Sequence, residues 1–207
     1  MKRASDPRKL GRFAYLKEIA PATTYRLFNP RVPVIICSKS GSKVAAMPAN
    51  SCSSVSDSPP IISIAIRKGI RTNKIVRSSS HFSINWLSFE PESSRTIVLD
   101  LGKPSNSRKD AGLEDKLKEF GVAYSLVSNI PVLRMACAFA LCKVKRWIST
   151  GDHDLFIASV MSAKASPDFT ADGYWKLRDY KPILYVGSIR SNPLITIDPH
   201  RERIEEI

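Results

Sequence analysis

The sequence predicts a mainly β protein, an antiparallel barrel with a few short helices. Three observations lead there. Short β-branched apolar runs recur along the 207 residues, clusters of Gly, Pro and Ser separate them at hairpin spacing, and too few helical crossovers intervene to build a parallel sheet. Hydrophobic residues make up 43% of the chain, enough for one sizeable core, so one main domain is expected. Neither G-x-G-x-x-G nor G-x-x-x-x-G-K-[ST] occurs, so neither common phosphate-loop fold is supported.

Residues 1–24 form a basic extension in which 14–19 reads as one helical turn ended by Pro21. Residues 32–38 are a β-branched strand, with Pro33 at its start or at a sheet edge, and 38–43 are a hairpin-type loop. Residues 44–47 lead into Pro48, a serine-rich stretch follows at 52–58, and Pro59-Pro60 precede the apolar strand 61–66. Thr72 reads as the N-cap of a short helix, and 81–86 alternates as a strand. Residues 88–109 are a polar excursion with a strand at 96–99. Leu113, Leu117 and Phe120 fall at helical spacing over 110–120, with Gly121 as the stop. Pro131 opens a further β region, and later strands are expected at 137–147, 155–163 and 182–189.

No apolar run approaches the roughly 20 residues of a membrane span, and the basic start lacks the apolar stretch of a secretory signal, so a soluble, cytoplasmic protein is expected. Cys37, Cys52, Cys137 and Cys142 stand singly without a C-x-x-C, which reads as buried reduced thiols rather than a disulfide scaffold or a metal centre. The net charge of +13 is the unusual bulk property and implies attraction to polyanions or phosphorylated ligands. Much of it lies in the extension and in an acid-free run, residues 67–77. A nucleic-acid-binding barrel is the rival reading of that charge. It is disfavoured because no aromatic residue interleaves the run for base stacking.

Two stretches bear on chemistry. Asn50-Ser51-Cys52 and the serines after it offer small hydroxyls and backbone amides to a flat polar heterocycle. The 61–66 strand then delivers Arg67, Lys68 and Thr72 to the start of a helix, where charge-assisted bonds and free N–H groups suit a phosphate monoester. Six strand residues span about 20 Å, which matches a mononucleotide.

From Tyr25-Arg26-Leu27-Phe28-Asn29-Pro30 through Met47-Pro48-Ala49-Asn50-Ser51, Arg71-Thr72-Asn73 and Phe82-Ser83-Ile84-Asn85 to Gly151-Asp152-His153 and Tyr180-Lys181-Pro182, the chain resembles the flavin reductase-like family. These are FMN-binding split barrels that include flavoredoxin. The resemblance implies an antiparallel split barrel of Greek-key type spanning 25–190, between the extension 1–24 and a tail 191–207. It implies FMN at or near the interface of a homodimer. Met47, Pro48, Ala49, Asn50, Ser51 and Cys52 would line the flavin ring. Lys68 and Thr72, helped by Arg67 or Arg71, would hold the phosphate, with Asn85 and His153 as further contacts, His153 from the partner subunit. The implied activity is transfer of hydride or electrons from NADH or NADPH through FMN to an acceptor, the alternative being an electron carrier without reductase activity. Leu141 stands where many relatives carry a glutamate, which leaves the substrate side less defined than the cofactor side.

Overall fold

The computed structural model describes residues 16–103, 115–187 and 193–197. Seven strands make one antiparallel sheet: β1 Val34–Ser40, β2 Lys43–Ala49, β3 Cys52–Ser56, β4 Ile61–Arg67, β5 His81–Trp86, and the 13-residue strands β8 Ala138–Thr150 and β9 His153–Ala165. Their order is β2-β1-β5-β8-β9-β4-β3. The two outermost strands, β2 and β3, are consecutive in sequence and joined only by Asn50-Ser51. Such a connection requires the sheet to curl until its edges meet, and Ala65 N donates to Ser51 O (3.0 Å) across the seam. The result is a mainly β, antiparallel split barrel.

Alternation along the strands sorts the core into layers. Val34, Ile36, Ala49, Ile64, Ile66, Phe82, Ile84, Cys142 and Phe156 fill the barrel interior. Ile35, Cys37, Val44 and Ala46, on the opposite face of β1 and β2, pack under Val98, Leu101 and Leu117. Those last three come from helices α2 Glu92–Gly102 and α3 Lys116–Glu119. Burial on both sides explains why 34–37 is a continuous apolar run rather than an alternating one. Helix α1 Arg71–Ser79 follows β4 and inserts Val76 into the barrel core.

Two tight hairpins fix the registers. Gly41 and Gly151, with φ of +59° and +47°, supply the left-handed backbone that the two-residue turns Gly41-Ser42 and Gly151-Asp152 require. A smaller hairpin, β6 Tyr124–Val127 with β7 Ile130–Leu133, buries its second strand.

Several expectations are corrected. Residues 96–99 are helical, within α2: their β-branched composition suggested a strand, yet Ser94, Val98 and Leu101 are buried at helical spacing. Pro21 opens a 3-10 helix, Pro21–Phe28, instead of ending a helical turn, since its missing N–H costs nothing at a first position. Of the expected turn, residues 14 and 15 lie outside the described residues, and 16–20 have no regular structure. Thr72 lies inside α1 and is buried; the N-cap is Ile70, with no side-chain cap. Most of the serine-rich stretch, Cys52–Ser56, is an edge strand, β3. Of the helix expected over 110–120, the described part is α3, with Gly121 (φ +64°) as its stop. The strand expected at 182–189 shrinks to Leu184–Tyr185, paired with Leu194–Ile195, while 188–190 lie outside the described residues.

Candidate functional site

Three cavities adjoin at the barrel seam, and Asn50 of the corner Asn50-Ser51, where the sheet edges meet, lines two of them. The first, about 180 Å³, is lined by Met47, Pro48, Arg71, Thr72, Lys103 and Lys116 among others. The second, about 410 Å³, shares Pro48 and Lys103 with the first and adds Asn50, Leu99 and Tyr185. The third, about 690 Å³, shares Asn50 and Tyr185 with the second and adds Tyr25, Arg26, Arg31, Ser51, Arg67 and His153. Shared walls make them one trough across the open seam of the barrel.

The first cavity has anion chemistry. Helix α1 begins there without a side-chain cap, and its first turn carries Arg71 and Lys74 with no acidic residue. The helix dipole is positive at that end, so cations there repel it and an anion is favoured. Asn73, one residue after Thr72, anchors the turn to the core. It is 2% exposed, and its Nδ2 donates to Ile66 O (3.1 Å) and to Asp154 Oδ2 (3.0 Å). Gly102, at the end of α2, lies so close that a Cβ there would meet Pro48 Cγ at 3.2 Å.

At the corner, Asn50 Oδ1 is buried and accepts no hydrogen bond among the described residues. An orphaned carbonyl oxygen of this kind costs about 1–3 kcal/mol unless a ligand donor satisfies it. Arg31 braces the corner from outside: Nη1 reaches Asn50 O and Ser51 Oγ, both at 3.4 Å, while Nε donates to Phe28 O (3.1 Å). In the third cavity His153 Nδ1 bonds Asp152 Oδ1 (2.7 Å). That bond, more than the nearby Arg67, holds the Asp152 carboxyl below its usual range.

The structure divides the residues expected from the sequence. Met47, Pro48, Arg71 and Thr72 gather at the first cavity; Asn50, Ser51, Arg67 and His153 gather at the third. Arg67 therefore stands apart from Thr72, against the expectation that both serve one phosphate. Lys68 lines none of the three cavities; its ammonium donates to Gly151 O (2.6 Å). The side chains of Ala49 and Cys52 pack against the barrel interior, where burial pushes the Cys52 thiol up to about 11. Asn85 is corrected from a ligand contact to a core residue. It is 0% exposed, its Nδ2 donates to Ile35 O (3.0 Å) and Ser83 Oγ (2.9 Å), and its Oδ1 accepts from Leu133 N (2.9 Å). Lys103 and Lys116 at one end, and Arg26, Arg31, Tyr25 and Tyr185 at the other, were not expected as site residues. For the lysines and arginines among them, the signal in the sequence was the surplus of basic residues over the whole chain.

The comparisons with known proteins agree with this architecture. The flavin reductase like domain matches residues 25–186. An uncharacterized protein of Aeropyrum pernix is 27% identical over 177 residues, 84% of this chain and 64% of that one, so this chain spans less than two thirds of that relative. The NADH-dependent flavin reductase StyB of Pseudomonas fluorescens is 25% identical over 167 residues, covering 78% and 82% of the two chains. Among solved structures, an FMN-binding protein from Thermus thermophilus superposes with a TM-score of 0.72 at 20% identity, covering 87% of this chain and 94% of that one, a likeness of fold. With the split barrel, its seam and a family match over most of its length, the chain belongs to the flavin reductase-like family.

Proposed function

We propose that the protein binds FMN along the trough and works as an NAD(P)H-dependent flavin oxidoreductase, a cytoplasmic homodimer. One observation carries the cofactor reading. The trough joins an anion-favouring helix start to an orphaned carbonyl oxygen through an apolar wall of Pro48 and Leu99. A phosphate tail and a flat ring with an N–H match those two ends. The relatives support the reaction class through StyB, named an NADH-dependent flavin reductase, and the cofactor through the Thermus thermophilus protein, named FMN-binding. The homodimer is supported by Trp147, Ile148 and Met161 on the β8–β9 hairpin, which are 43%, 46% and 45% exposed. The cytoplasmic placement is supported by four free cysteines, three of them buried.

Bound in the trough, a flavin supplies a two-electron acceptor for hydride and a donor to the next acceptor. The chain's own residues bind and orient. Thr72 and the N–H groups at the start of α1 would hold the phosphate, with Arg71, Lys103 and Lys116 balancing its charge. Asn50 Oδ1 accepts from the ring, which fixes the ring's edge at the seam. His153, steadied by Asp152, borders the space that remains for the electron donor.

The test is a visible-absorption titration with FMN and riboflavin. Thr72→Ala combined with Arg71→Gln is expected to weaken FMN by about tenfold to a hundredfold and riboflavin by far less, since only FMN has the phosphate. Equal losses would place the phosphate elsewhere. Anaerobic bleaching of the bound flavin by NADH or NADPH then separates a reductase from an electron carrier, which neither nucleotide would bleach.

A further inference from the structure

The third cavity, the largest of the trough, keeps more positive charge than a flavin ring beside it requires. It is lined by three arginines, Arg26, Arg31 and Arg67, against one carboxylate, Asp152. We infer that this cavity takes the phosphorylated adenosine end of the electron donor and selects NADPH over NADH, with Arg26 as the specificity-determining residue. The inference rests on the flavin reading above.

The three guanidinium groups differ in what they are free to do. Arg31 is occupied with the corner and with Phe28, and its guanidinium lies 4.9 Å from the Phe28 ring centroid. Arg67 lies near Asp152, whose carboxyl it helps to hold in the charged form. Arg26 has neither tie. Among the described residues its guanidinium contacts the neighbouring Tyr25, at 3.4 Å to the hydroxyl and 5.8 Å to the ring centroid, and meets no carboxylate. It stands exposed on the 3-10 helix Pro21–Phe28, beside a tyrosine ring that is 63% exposed. A planar fork of donors next to an aromatic face suits an adenine with a phosphate on its ribose.

The carboxylate argues the same way. A site for NADH commonly offers a free Asp or Glu to the two hydroxyls of the adenosine ribose, whereas a nearby Arg accommodates a 2′-phosphate. Here, among the described residues, one carboxylate lines the cavity, Asp152, and its Oδ1 is bonded to His153. An extra phosphate adds negative charge where three arginines face one carboxylate, and a ribose diol finds that carboxylate committed at one of its two oxygens.

The experiment uses the full-length protein and Arg26→Gln, with FMN affinity measured first on both. Calorimetry then compares 2′,5′-ADP with AMP, and anaerobic stopped-flow compares NADPH with NADH on the flavin-loaded protein. The expected result is about a tenfold or greater preference for 2′,5′-ADP and for NADPH, reduced to within about threefold by Arg26→Gln at unchanged FMN affinity. Arg26→Lys should retain part of it, and raising the salt should erode it. Equal or better use of NADH by the flavin-loaded wild type overturns the inference. So does FAD binding more tightly than FMN with the difference lost in Arg26→Gln, since the cavity would then serve the cofactor's own adenosine. A protein that binds no flavin yet prefers 2′,5′-ADP through Arg26 would sink the flavin reading while supporting the anion subsite.

Discussion

The two ends of the trough are both cationic, but they are built on different foundations. At the first cavity, Arg71 and Thr72 belong to a helix whose next residue, Asn73, is buried and tied to β4 and β9, and whose Val76 reaches the barrel core. At the other end, Tyr25 and Arg26 ride on a 3-10 helix with no buried residue. Charge is therefore held rigidly where a resident cofactor would stay and loosely where a transient donor would come and go. The contrast shows that one charged element can be fixed by the core while another costs the fold almost nothing.

Substitutions can break that comparison. Asn73→Ala carries the largest expected effect. It leaves the buried Asp154 carboxylate with one distant partner, Arg77 at 3.7 Å, so stability should fall by about 2–3 kcal/mol in urea unfolding, with FMN affinity falling as well. If 2′,5′-ADP binding fell in the same proportion, the two ends would not be independent.

Alkaline pH probes the same foundation more gently. Cys37, in the layer between β1 and the helices, is 0% exposed, and burial pushes its thiol from 9.0 to about 12. A raised value in the folded state means that the contribution is complete below pH 9 and declines as pH rises toward 12. Stability should drop by up to about 1.4 kcal/mol per pH unit from this group alone. Cys37→Ala should flatten that slope, and unchanged curves for the two proteins would show that another group controls it.

Lys68→Ala is expected to have the smallest effect. The ammonium is exposed and bonded to the Gly151 carbonyl, outside all three cavities, so FMN affinity should change less than about twofold and stability by about 0.5 kcal/mol or less. A tenfold loss of FMN would return Lys68 to the phosphate.

The strand framework was legible because its signal is local. Residues 61–66 and 81–86 alternate or run apolar over single strands, and the observed strands Ile61–Arg67 and His81–Trp86 match to within a residue. Residues 96–99 misled because Thr96, Ile97 and Val98 favour strands by composition, while the burial that decides the matter depends on a partner, β2, some fifty residues away. Of the candidate site, Asn50-Ser51 and Arg71-Thr72 had a local signal beside strand and helix ends, and the structure places them on the cavities. The site was illegible where distant segments converge, as Arg31 and Tyr185 do through a pair of backbone hydrogen bonds. Asn85 was misassigned for a related reason: a polar residue on a β-strand reads alike whether it faces a ligand or satisfies a neighbouring strand's backbone.

The corner at Asn50-Ser51 has a mechanical consequence. Because β2 and β3 are the outermost strands of the sheet, a molecule seated on that corner bears on the two-residue link between the ends of the seven-strand order. It acts as a clasp. The amides flanking the seam, from Met47 to Ser51 and at Ala65, should exchange with solvent more slowly in the loaded protein, while amides in the middle of the order, on β5 and β8, keep their rates. The same molecule that the barrel holds would then help to keep the barrel shut.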